Sequence, residues 1–312
     1  MASEFERIAR LETIFGPPPP AVSLGIGDDA AVLDAHALST LGARLVWTVD
    51  SCVEDVHFRR ELIGWFDLGW KSFMAAASDI AAMGATPLGA LCALCLPPGF
   101  PEPDVDRIAA GQAAAAAAIG TAVIGGNLSR AREVSLSTTL LGTCSNAPRR
   151  DGARPGELLV AAGPIGLAAT GLRALLDRSP APGTERAVDA WRRPIARISD
   201  GLLLAQSATA MIDISDGLAQ DAAHLARASR VRIDLDPAAL VTSELHEVCA
   251  QLGLDPLSMA LGGGEDYALI ATVPVGSSPE GTRVIGRVTE GDGVWLDGRR
   301  LAATGFDHFR EG

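Results

Sequence analysis

Short apolar runs of strand length alternate with stretches of helical spacing on both sides of a polar break, Asn146-Ala147-Pro148-Arg149-Arg150-Asp151-Gly152. This alternation constrains the fold more than any other feature, because strands and amphipathic helices of this length must bury their apolar sides against each other. Before the break, residues 21–26 and 44–49 read as strands. Residues 68–83 have helical spacing, with Trp70, Phe73, Met74, Ala77, Ile80 and Ala81 on one stripe and Lys71, Ser78 and Asp79 off it. A strand over 88–96 closes at Pro97-Pro98-Gly99, residues 103–119 form an alanine-rich helix, and 122–124 and 134–141 return as strands. After the break, strands are expected at 157–162, 210–214, 231–235, 267–273 and 283–288. Helices are expected at 167–176, 218–228 and 244–252, and 179–188, rich in Pro, Gly and charge, reads as an exposed loop. The expected fold class is α/β (α+β), in two domains over residues 1–146 and 147–312.

Composition excludes several functions. A net charge of −12 argues against a nucleic-acid surface, though not against phosphates bridged by cations. No apolar run reaches the roughly 18 residues of a membrane span, and Met1-Ala2-Ser3-Glu4-Phe5-Glu6 lacks the basic and apolar regions of a signal peptide. The expected location is the cytoplasm. Five cysteines make no disulfide framework. Cys92 and Cys95 form a C-x-x-C, but on a strand positions three apart point to opposite faces, so they read as core residues and not as a redox or zinc pair.

The acids gather at strand ends beside glycine: Gly25-Ile26-Gly27-Asp28-Asp29, Thr48-Val49-Asp50, Asp213-Ile214-Ser215-Asp216-Gly217 and Gly263-Gly264-Glu265-Asp266, with Ser78-Asp79 on a helix. Any one Asp serves equally well as a cap or turn residue. Together, so many hard oxygen ligands suit magnesium bridging to substrate phosphates, at the strand-end loops where α/β folds place ligands. The single lysine, Lys71, lies outside any P-loop, and protein-kinase signatures are absent. Backbone N–H groups, arginine and metal ions must therefore hold any nucleotide.

In this order, residues 25–30, Val53-Glu54-Asp55-Val56-His57-Phe58, Ser78-Asp79-Ile80-Ala81-Ala82-Met83-Gly84-Ala85, residues 212–218 and Gly263-Gly264-Glu265-Asp266-Tyr267 resemble the thiamine-monophosphate kinase family. That family belongs to the superfamily of aminoimidazole-ribonucleotide synthetase, selenide water dikinase and the hydrogenase-maturation dehydratase. Val56-His57-Phe58, Gly264-Glu265-Asp266-Tyr267 and Gly305-Phe306-Asp307-His308-Phe309 resemble the thiamine branch. The selenide and dehydratase branches are expected to use a cysteine at the N-terminus or C-terminal tail, and this chain has none before Cys52 or after Cys249.

The resemblance implies an N-terminal domain whose sheet pairs with a second subunit in a homodimer and binds metal and ATP. It implies a C-terminal domain that completes the ATP and substrate cleft. Carried over, Asp29, Thr48, Asp50, Asp79, Asn127, Asp213 and Asp216 resemble magnesium ligands. Gly126, Arg150 and Ser215 resemble ATP contacts, and His57, Glu265 and Phe306 resemble the residues that hold thiamine monophosphate. Read alone, His57 and Phe306 also suit packing, and Arg150 a surface charge. One departure is Gly125-Gly126-Asn127-Leu128-Ser129-Arg130, where the family has Gly-Gly-Asp-Thr-Thr-Arg. Asn127 keeps a carbonyl oxygen but loses the charge, so restoring Asp is expected to strengthen magnesium binding. The implied activity is magnesium-assisted in-line transfer from ATP to thiamine monophosphate. The acceptor phosphate, with a second pKa of about 6, is anionic and needs no general base. The alternatives are an ATP-dependent enzyme of the same superfamily with another acceptor, or a non-catalytic nucleotide-binding paralogue.

Overall fold

The computed structural model describes residues 4–20, 22–24, 32–33, 44–177 and 183–302. The chain forms two compact units, one of residues 1–80 and 85–145, the other of 81–84 and 146–312. No described helix is long and apolar enough to cross a membrane.

The first unit is built on four strands: β3 (Arg44–Val53), β4 (Thr86–Leu96), β5 (Val123–Arg130) and β6 (Ser135–Cys144). They lie in the order β3-β6-β4-β5, antiparallel except for the parallel β4–β5 pair. A small ribbon of β1 (Val22–Leu24) and β2 (Val32–Leu33) and the N-terminal helix α1 (Glu4–Phe15) accompany the sheet. Arg10 on α1 pairs with Glu102 and Asp106 at the start of α3 (Glu102–Ala118). Helix α2 (Trp65–Ala82) and α3 pack at backbone distance, because a Cβ on Gly69 would lie 2.0 Å from Ile108 O and one on Gly111 2.0 Å from Phe66 O. Burial of α2 extends beyond its apolar stripe. Lys71 and Ser78, expected off the stripe, are both buried, while Trp70 is only half-buried.

The two sheet faces differ. Thr48, Asp50, Thr138, Leu140 and Cys92 share one face by register, and on it Thr138 and Leu140 are fully buried. Leu45, Trp47 and Val49 of β3 alternate onto the other face, 61%, 73% and 64% exposed. Leu91 of β4 joins them across the Val49–Thr139–Leu91 row. All five cysteines are free. Cys92 is buried, with its thiol pushed up to about 12 by desolvation, and Cys95 is half-buried at a strand position of opposite parity.

The second unit is a seven-stranded sheet ordered β13-β12-β9-β11-β7-β10-β8. Its strands are β7 (Leu158–Ala162), β8 (Ala210–Asp213), β9 (Arg232–Leu235), β10 (Leu269–Val273), β11 (Arg283–Thr289), β12 (Gly293–Leu296) and β13 (Arg299–Arg300). All pairings are antiparallel except β12 with β9. Every residue of β8 and β10 is buried. Helices α4 (Leu167–Leu176), α5 (Glu185–Arg192), α6 (Ile198–Leu204), α7 (Leu218–Ser229), α8 (Pro237–Leu240), α9 (Ser243–Leu252) and α10 (Pro256–Gly262) complete the unit. The expected loop over 179–188 is corrected in part. Residues 178–182 lie outside the described residues, but α5 begins at Glu185 and buries Ala187, Val188 and Trp191. A Cβ on Gly171 would lie 2.0 Å from Ala187 O, so glycine lets α5 seat directly on α4.

Candidate functional site

Asp29 and Phe306 lie outside the described residues. The other expected site residues divide between the two units.

In the first unit, β3 carries Thr48 and Asp50 on one face, and the Thr48 hydroxyl donates to Asp79 Oδ2 of α2 at 2.5 Å. The strand and helix thus bring Thr48, Asp50 and Asp79 to one region, all three half-buried. The turn that follows β3 is locked by Glu54, which accepts from Val134 N (2.9 Å) and pairs with Arg60. The Arg60 guanidinium holds the Glu54 carboxyl below its ordinary range. Inside this turn Asp55 adopts φ +62°, and His57 Nδ1 accepts from Val53 N at 3.1 Å. That bond places the imidazole proton on Nε2, which makes this nitrogen a donor.

Gly126 lies across the sheet in register with Cys92, Thr138 and Asp50. A Cβ there would meet Cys92 O at 1.9 Å, which explains the glycine by strand packing. Asn127 is not brought to the acids. Its register neighbours are Ala93, Ser137 and Ser51, on the opposite face from Asp50, and its amide donates to Ser129 Oγ at 2.8 Å.

In the second unit, Asp213 ends β8 and Asp216 lies in the turn into α7. Gly217, at φ +119°, makes the entry into the helix. The segment Gly264–Tyr267 runs beside this turn: Glu265 N donates to Ser215 O and Tyr267 N to Ile214 O, both at 2.9 Å. A Cβ on Gly264 would lie 2.4 Å from Ser215 O, so only glycine permits the approach. Glu265 itself sits at φ +64°, and its Oε2 accepts from the buried Trp191 indole at 2.7 Å. Arg150 is exposed, and its carbonyl accepts from Ser229 Oγ of α7 at 2.9 Å. The ring of His224 on α7 feels Arg150 and Asp216 together; burial and the charges of Arg227 and Arg150 lower its pKa. Asp213, Ser215, Asp216, Arg150 and Glu265 are therefore brought together.

Two residues here escaped sequence reasoning. Trp191 lies just past the expected loop of 179–188, where no element was expected. Asp221 is buried, and its Oδ2 accepts from Ser215 N, Asp216 N and Gly217 N at 3.1, 3.2 and 3.1 Å. Burial first, and then the charges of Asp213 and Asp216, push its carboxyl up to about 7. An acid in the first turn of a helix was the available signal. Asp216, Asp221 and His224 hold ligand atoms within 4.8 Å of one another, the one such group among the described residues.

Asp266, one of the clustered acids, is turned to the backbone. Its carboxylate accepts from Gly166 N (2.6 Å) and Ala168 N (3.1 Å) at the amino end of α4. Burial pushes its pKa up from 3.8 to about 7, against the two N–H bonds. A raised carboxyl pKa costs the folded state stability as pH climbs from the unfolded value to the folded one. Above the ordinary carboxylate pKa the wild type therefore loses stability relative to Asp266→Asn as pH rises toward 7. Urea unfolding of both proteins across that range measures the difference, and parallel curves would refute it.

A family model described as AIR synthase related protein, N-terminal domain, matches residues 27–144. A thiamine-monophosphate kinase of Aquifex aeolicus is 35% identical over 289 residues, covering 91% of this chain and 92% of that protein. Among solved structures, that of a thiamine-monophosphate kinase from Stenotrophomonas maltophilia is 33% identical with a TM-score of 0.85, covering 96% of this chain and 98% of that one. A structure of AaThiL complexed with AMPPCP and TMP is 33% identical with a TM-score of 0.82, covering 99% of both chains.

Proposed function

This chain belongs to the thiamine-monophosphate kinase family, and on that premise we propose that it transfers the terminal phosphoryl group of ATP to thiamine monophosphate. The observation that carries the reading is the relative complexed with AMPPCP and TMP, which matches 99% of this chain. The acceptor phosphate oxygen forms the new bond to the γ-phosphorus, the bond to the β-phosphate oxygen breaks, and ADP leaves with thiamine diphosphate as the other product.

The donor set fits magnesium. Thr48, Asp50 and Asp79 offer hydroxyl and carboxylate oxygens in the first unit, as do the carboxylates of Asp213 and Asp216 in the second. The mutual repulsion of Asp213, Asp216 and Asp221 is what a hard dication offsets. Bound there, magnesium supplies neutralisation of phosphate charge. Asp29 joins these ligands by resemblance, while Asn127 sits on the other sheet face and is left out. The chain's own residues do the rest. Thr48 orients the Asp79 carboxylate by its hydrogen bond. Arg150 and Ser215 flank the acids of the second unit and suit ATP phosphate oxygens. His57 presents an Nε2–H donor and Glu265 an anionic group for the thiazolium cation of the acceptor, with Phe306 assigned there by resemblance. With an anionic nucleophile, positioning and charge compensation suffice and no side chain removes a proton.

The open face bearing Leu45, Trp47, Val49 and Leu91 supports a homodimer through the first unit, because an apolar patch of this kind marks an interface. Trp47→Glu is expected to convert the dimer to monomer in sedimentation, and an unchanged mass would reject that face. The absence of a membrane-crossing helix among the described residues and the free cysteines support a cytoplasmic enzyme. The deciding experiment is incubation with ATP and magnesium, with and without thiamine monophosphate and a panel of other phosphorylated acceptors, with products identified by mass. Thiamine diphosphate and ADP in equal amounts are expected. ADP with a different acceptor would favour another branch of the superfamily, and no turnover in any case a binding protein.

A further inference from the structure

The amino end of α7 has the form of an anion cradle. Consecutive N–H groups of Ser215, Asp216 and Gly217 converge at a helix start, which is where phosphates commonly bind. Here the cradle is filled from within, because all three N–H groups reach the same oxygen of Asp221. Asp221 is 2% exposed, so the anion is part of the fold and is not open to exchange with solvent. Gln220 adds a bond from Nε2 to Asp216 Oδ2 at 3.1 Å. The turn is thereby held from both sides, and its donors are spent on the protein's own carboxylate.

We propose that Asp221 is a positioning residue: its carboxylate occupies the N–H cradle of α7 and so fixes the Asp213–Gly217 turn as a presenter of carboxylate oxygens to a metal ion. A turn with three free N–H groups would take a phosphate directly. A turn whose N–H groups are already satisfied takes phosphate through a cation. The inference rests on the reading of Asp213 and Asp216 as metal ligands.

The test compares the full-length wild type with Asp221→Ala, Asp221→Asn, Asp221→Glu and Asp216→Asn. Binding of Mn2+ is read from the loss of its free paramagnetic signal, with a non-hydrolysable ATP analogue present. Amide hydrogen exchange at residues 215–217 is measured on the same proteins. Asp221→Ala should weaken Mn2+ binding about tenfold or more, the size expected when a group that orients a ligand is removed. It should also speed exchange of those three amides, and inorganic phosphate should slow that exchange again by entering the vacated cradle. In Asp221→Asn the amide oxygen still accepts, so both readings should stay nearer wild type. Should Asp221→Ala fail to fold, Asp221→Glu keeps the charge but moves it by one methylene, and should weaken Mn2+ binding by itself. If Asp216→Asn weakens Mn2+ binding while neither Asp221→Ala nor Asp221→Glu does, the inference is overturned and the metal reading stands. If Asp216→Asn leaves Mn2+ binding unchanged, the metal reading falls and the inference with it.

Discussion

Asp79→Asn lowers turnover of ATP with thiamine monophosphate by at least about a hundredfold, the scale on which a lost charge at the reacting phosphates is felt. Its melting temperature stays close to wild type. The side chain keeps its shape, and the amide oxygen still accepts from the Thr48 hydroxyl, which sits 2.5 Å from Asp79 Oδ2. Only the charge is removed. That charge lies near the carboxyl end of α2, where the helix dipole disfavours an anion, so folding gains nothing from it. Steady-state kinetics and a thermal melt on the same preparation check both halves. Equal turnover would remove Asp79 from the metal set, and a collapse of the melt would make it a structural residue.

Glu265→Gln raises the Michaelis constant for thiamine monophosphate about tenfold, the equivalent of one charge-assisted contact of some 1.4 kcal/mol. The constant for ATP stays near wild type. Glutamine retains an oxygen to accept from the Trp191 indole, so the loop is kept, at φ +64°, while the anion proposed for the thiazolium is lost. Varying one substrate at a time separates the two constants. A parallel rise in both would indicate that Glu265 shapes the turn against Ser215 and does not touch the acceptor. No change in either would take it out of the site.

Much of this fold was legible in sequence because its signals are local. Alternation in β3 and β6, the alanine-rich run of α3 and the polar break after residue 145 each arise from neighbours within a few positions. The clustered acids were legible for the same reason, each read from the few residues around it, although Asp50 lies inside β3, which runs on to Val53. What failed was non-local. The segment read as a loop forms α5 because Gly171, distant in sequence, lets the helix seat on α4. Lys71 is buried although it lies off the apolar stripe, on the side of α2 away from Gly69. Asn127 stands at the right place in a motif, yet strand parity turns it to the opposite face from Asp50.

By itself, the sequence determined the inventory: which residues bear charge, in what order, and on which kind of element. Local spacing decides helix or strand, and residue chemistry decides that oxygen ligands and not thiols or lysines must meet a phosphate. The tertiary structure alone decided which of these groups meet. The indole bond to Glu265 and the backbone bond from Glu265 N to Ser215 O join residues far apart in sequence, whose pairing depends on sheet order and helix crossing. Those depend on how close two backbones can come, a property set by the whole packed core and carried by no single stretch of sequence.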